Sequence, residues 1–130
     1  MKRVLKPKGL VDASERYSQG ILLEGIRGLL FIAGQTSTDR DGNVVGVGDI
    51  RAQARKAFEN VEIVLKEAGL EFEHLVKTTV YLTDRSYREE YNRVRMEVLP
   101  QGDRPTSTLL IISGLARPEY LIEIEAIAAY

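Results

Sequence analysis

The chain has no cysteine and one histidine, His74. Without cysteine there are no disulfides, thiolate nucleophiles or cysteine-ligated metals. A zinc site or a histidine-based triad needs partners that a single imidazole lacks. His74, in AGLEFEHLVK, therefore reads as a loop or strand-entry residue beside a charged turn. Neither sign of charge dominates: 18 Lys plus Arg stand against 19 Asp plus Glu, a net charge of -1. No basic run or stripe is present, so no nucleic-acid partner is expected. No apolar run approaches the roughly 20 residues of a membrane span, and MKRVLKPKGLVDASERY is too charged for a signal peptide. Motifs of the P-loop, GxGxxG, HExxH and GxSxG types are missing. A cytoplasmic protein with no membrane partner and no metal is the expectation.

The 130 residues, 44% of them hydrophobic, fit one domain, residues 1–130, with one ordinary core. KRVLKP reads as a short strand stopped by Pro7. SQGILLEG and GLLFIAGQTS read as two more strands, the second buried, with EGIRG as a hairpin turn between them. Asp41-Gly42 centres a further turn. Asp49 is placed to cap a helix whose apolar residues recur at Ala54, Ala57 or Phe58, Val61, Val64 or Leu65, and Ala68, with Gly69 closing it. Leu75 to Thr83 reads as a strand. Thr83 or Asp84 caps a second helix with an inner stripe of Tyr87, Tyr91, Val94 and Val98, ended by Pro100. Ser107 to Ser113 and Leu121 to Tyr130 are the last two strands. The order β, β, β, α, β, α, β, β predicts an α+β fold, a two-layer arrangement of a mixed β-sheet with two helices on one face. The uncovered sheet face then needs a partner, and symmetric self-association is the common solution.

The last strand, LIEIEAIAAY, carries two carboxylates. Alternation places Ile122, Ile124, Ala126 and Ala128 on one face and Leu121, Glu123, Glu125, Ile127 and Ala129 on the other. If the first face packs on the helices, both glutamates point to the uncovered side, as rim residues or as groups able to activate water. Tyr17, Gln35, Asn92, Arg104, Thr106, Ser107, Thr108 and Arg117 are the other polar candidates. Each has an ordinary reading too: packing beside a turn for Tyr17, capping for Gln35, a solvent-facing position for Asn92, and surface ion pairs for Arg104 and Arg117.

Taken together, YSQG, FIAGQTS, DIRAQARKAFENVEIVLKEAGL, LVKTTVYLTD, YNRV, RPTST and IEIEAIA resemble the RidA family, also called the YjgF or endoribonuclease L-PSP family. The resemblance runs from Tyr17 to Ala128. It implies a chorismate-mutase-like fold and a homotrimer with a barrel-like centre and clefts between subunits. It also implies hydrolysis of reactive enamines and imines to oxo compounds and ammonia, with no metal or organic cofactor. Under it, Glu123 becomes the water-directing catalytic residue. Tyr17, Asn92, Ala33, Ser107 and Thr108 become substrate-binding candidates.

One position departs from the family pattern. The archetypal Pro-x-Arg-Ser/Thr motif has an arginine that clamps the substrate carboxylate, and RPTST has Ser107 there. A hydroxyl is no substitute for a bidentate, permanently charged clamp. Arg104 and Arg117 are the candidate replacements. The resulting expectation is a deaminase acting on an atypical substrate. The alternative is a non-catalytic trimer that binds a small ligand as a sensor or partner-binding protein. A ribonuclease, suggested by the family's other name, is disfavoured by the charge balance and the lone histidine.

Overall fold

The Asp49 side chain accepts a hydrogen bond from the Ala52 amide at 3.1 Å and opens the longest helix, α1, Ile50–Glu67. Its apolar stripe, Ala54, Ala57, Phe58, Val61 and Leu65, is fully buried, as the helical spacing requires. Gly69, at a φ of 73°, takes the left-handed conformation that ends the helix at little cost. The computed structural model describes all residues, Met1–Tyr130. The remaining elements are strands β1 (Lys2–Leu5), β2 (Gly20–Leu23), β3 (Leu29–Gln35), β4 (Leu75–Leu82), β5 (Thr106–Ile111) and β6 (Ile122–Ala129), with a second helix, α2 (Arg88–Val98). No helix is long and apolar enough to cross a membrane.

Four strands form the main sheet in the order β3-β6-β4-β5. The β4–β5 pair is parallel, joined through α2, and the other two pairs are antiparallel. The last strand in sequence is therefore interior to the sheet. Its buried residues, Ile122, Ile124, Ala126 and Ala128, join a cluster with the α1 stripe, Val80, Leu82, Tyr91 and Val94. Both helices lie on this side, which makes the α+β arrangement two-layered.

The hairpin expected at EGIRG does not form. β2 pairs with β1 in a separate two-stranded sheet, in the register Lys2↔Leu23 to Leu5↔Gly20. Residues 24 to 28 thus link two sheets. Turn-forming residues between two apolar runs mark a change of direction, but they do not say which strand the second run will join. The start of the second helix also differs. Asp84 accepts from the Ser86 amide at 2.8 Å and caps a short 3-10 turn, Arg85–Tyr87, which leads into α2.

Gln53 fastens β6 to α1 from within. It is fully buried. Its Nε2 donates to Gly46 O at 3.1 Å and Glu119 O at 2.9 Å, and its Oε1 accepts from the Leu121 amide at 2.9 Å. The strand carrying both glutamates thus enters the sheet from a fixed point on the helix. His74 plays a local part: its Nδ1 accepts from the Glu71 amide at 3.0 Å.

Candidate functional site

The N-terminal segment is sewn to the start of β5. The Tyr17 amide donates to Ala13 O at 2.9 Å, forming a tight turn, and the Ser18 amide donates to Pro105 O at 3.1 Å. Ser18 Oγ also donates to Arg104 O. These bonds set Arg16 and Tyr17 beside Ser107. From the other side α2 presents Arg88, Asn92 and Arg95, spaced i, i+4 and i+7 on one helical stripe. With Leu109, these six residues line a cavity of about 180 Å³. Three of the sequence candidates, Tyr17, Asn92 and Ser107, meet here.

Asn92 is half-buried, and its Oδ1 accepts from Arg95 Nη2 at 2.9 Å. The Arg95 guanidinium lies over the Tyr91 ring, 5.4 Å from its centroid. Tyr91 in turn stacks on Phe58 with centroids 6.1 Å apart. The Tyr91 hydroxyl is buried close to Arg95 and Ser107 without a well-formed hydrogen bond. Burial pushes its pKa up to about 12, against the opposing effect of the Arg95 charge.

Glu123 lies on the opposite face of the sheet. Register pairs it with Tyr81, and pairs Glu125 with Thr79. Its carboxylate covers Gly34: a Cβ there would meet Glu123 Oε2 in hard contact, with Cδ at 2.7 Å and Cγ at 3.0 Å. A β-bulge at Ala33-Gly34 creates this seat, since Ile32 pairs with Ala126 while Gln35 pairs with Ile124. Glu125 is tied up differently, accepting from the Tyr81 hydroxyl at 3.0 Å. That hydrogen bond is the main reason the Tyr81 pKa is raised.

Ala33 shares the outer face with Phe31, Lys77, Thr79 and Glu125. Thr108 pairs with Thr79 and so also lies on this side, whereas Ser107 pairs with Thr78 and faces the helices. Within one chain, then, Tyr17, Asn92 and Ser107 stand on the helix side, and Glu123, Ala33 and Thr108 on the other.

Neither arginine expected to replace the clamp reaches the cavity. Arg104 is buried and donates from Nη1 to Leu99 O at 3.1 Å. Arg117 donates to Gly42 O at 2.8 Å and stacks on Tyr120. The arginines on the cavity wall are instead Arg16, Arg88 and Arg95. A polar i, i+4, i+7 row beside the apolar stripe of α2 was the available signal for two of them. No group of three or more His, Asp and Glu side chains gathers where it could hold a metal ion.

The family model for endoribonuclease L-PSP matches residues 8–130. The chain belongs to this family. Solved structures of Rid proteins agree with it over nearly the whole chain. YyfB from Yersinia pestis, described as a protein of unknown function of the conserved Rid family, is 27% identical with a TM-score of 0.85, covering 99% of this chain and 98% of that one. YyfA from the same organism is 30% identical with a TM-score of 0.75, and each chain is covered completely. RidA from an Antarctic Psychrobacter is 27% identical with a TM-score of 0.73, and 88% of each chain is covered. The protein is thus a member of the RidA family by sequence and by fold.

Proposed function

We propose that this RidA-family member hydrolyses small reactive enamines or imines to oxo compounds and ammonia, at clefts between the subunits of a homotrimer and without a cofactor. The observation that carries the reading is the division of the candidates between two faces. Tyr17, Asn92 and Ser107 line one cavity on the helix side, while Glu123 sits on the sheet face that the helices leave open. That open face is apolar at Leu29, Phe31 and Leu110, with Phe31 70% exposed. Such a surface favours a protein partner. Packing it against the helix-side edge of a second copy brings one chain's carboxylate to the other chain's cavity.

In this site water adds to the C=N carbon while Glu123 accepts its proton. The proton then passes to the nitrogen, giving a carbinolamine; its hydroxyl proton follows to the nitrogen, the C–N bond breaks, and a carbonyl and ammonia leave. Imine and water are thus converted to oxo compound and ammonia with no change of oxidation state. Tyr17, Asn92 and Ser107 hold the substrate by hydrogen bonds. A positioned general base contributes about 10²–10⁴-fold.

The test is the loss of freshly generated 2-iminopropanoate, with and without protein, together with the mass of the assembly in solution. Acceleration by the wild type, lost in Glu123→Ala in a preserved trimer, is expected. Ligand-induced stabilisation with no turnover across a panel of imines would make the protein the alternative, a binding trimer.

A further inference from the structure

Arg95 is 5% exposed, and its Nε is buried without a hydrogen-bond partner. Its two contacts, Asn92 Oδ1 and the Tyr91 ring, are both neutral. The six ion pairs of the chain use Arg51, Arg55, Lys56, Lys66 and Arg93. They leave Arg95 unpaired. A second buried arginine, Arg104, is 4% exposed and also lacks a carboxylate. Burial, and after it the charge of Arg95, lower its pKa. A buried guanidinium with no anion is costly, and a like charge near it makes the cost greater. The cavity wall adds Arg16 and Arg88 and has no Asp or Glu. Its volume, about 180 Å³, lies below the roughly 300–1,000 Å³ of pockets for drug-sized ligands, so it suits a small acid.

We propose that Arg95, reaching in from α2, is the carboxylate-binding residue of this cavity. Its free Nε–H and unused Nη N–H groups form a planar fork for one carboxylate, and the Ser107 and Tyr17 hydroxyls lie on the same wall. The ligand is a small 2-imino or 2-oxo acid. That identity rests on the deaminase reading, whereas the anion site rests on Arg95 and its surroundings.

Calorimetric titration at low salt tests this, with pyruvate as probe, pyruvamide as its neutral counterpart and inorganic phosphate as a competing oxyanion. The wild type is expected to bind pyruvate at least about tenfold more tightly than pyruvamide. Arg95→Met should weaken pyruvate about tenfold or more and leave pyruvamide unchanged. Arg95→Lys, which keeps the charge and loses the fork, should fall between them. If Arg95→Met does not assemble, Arg95→Lys decides: pyruvate affinity equal to wild type overturns the assignment. Equal binding of pyruvate and pyruvamide overturns it, as does binding of phosphate alone, and so does neutralisation of Arg95 by a carboxylate of a second copy. Pyruvate binding that depends on Arg95, without hydrolysis of any imine, would remove the deaminase reading and keep the anion site. Imine hydrolysis with an unchanged KM in Arg95→Met would do the reverse.

Discussion

The Glu123 carboxylate rests against the bare Cα of Gly34, in a seat made by the β3 bulge. A methyl group at position 34 meets only the flexible end of the glutamate among its nearest atoms, with Cδ at 2.7 Å. Gly34→Ala should therefore move the carboxylate without disturbing the core. The expected outcome is a Tm within a few degrees of wild type and imine hydrolysis slowed by about tenfold or more, since misplacing a catalytic group by ~1 Å can cost up to 10²-fold. Thermal unfolding and steady-state rates on the same preparation check this. An unchanged rate means that the position of Glu123 does not matter to turnover.

Ser107→Arg should not improve the protein. The new guanidinium would enter a wall that already holds Arg16, Arg88 and Arg95, with Arg95 buried. We expect a loss of about 1–3 kcal/mol of stability, as is usual when a like charge is forced into a buried site. In an Arg95→Met background the same change should be tolerated and should restore carboxylate binding. Denaturant midpoints for the single and double variants measure the coupling.

Tyr91 ties stability to alkaline pH. Its pKa is about 12 in the folded chain against about 10 when unfolded. Between those values the unfolded chain loses the proton while the folded chain keeps it. Stability is therefore fully present below pH 10 and falls as pH rises, by up to about 1.4 kcal/mol per pH unit. Urea titrations from pH 9 to 11.5 should show a steeper loss for wild type than for Tyr91→Phe.

Gln53 is a purely structural test. Gln53→Leu keeps the bulk but leaves the Leu121 amide and the Glu119 carbonyl without their partner, while the Gly46 carbonyl keeps its bond from the Asp49 amide. A cost of about 2–4 kcal/mol is expected from groups left unsatisfied on burial. Urea unfolding of the variant reads this directly.

Much of this was legible in the residues. The α1 stripe and its Asp49 cap, and the alternation that put both glutamates opposite Ile122, Ile124, Ala126 and Ala128, follow from the periods of helix and strand. The pairing of β2 with β1 was not legible, because strand partners are chosen by contacts distant in sequence. Gln53 was hidden for a similar reason: a polar residue at a helix position gives no sign that three backbone groups wait for it elsewhere. In the sequence Arg95 is one of three arginines in α2, with nothing to set it apart. Only the packing of Tyr91 on Phe58, and the turn that carries Tyr17 to β5, turn that position into a buried wall.

The division of Glu123 from Asn92 and Arg95 between two faces of one chain has a direct consequence in a mixed assembly. In the proposed homotrimer, co-expression of Glu123→Ala and Asn92→Ala subunits under two different tags allows mixed trimers to be purified away from the parents. Each parent alone should be inactive. If the site is built from two chains, each purified mixed trimer keeps one intact interface of its three, so roughly a third of the wild-type rate should be recovered in a closed cyclic ring. Mixed trimers as inactive as both parents would mean that no site is shared between subunits.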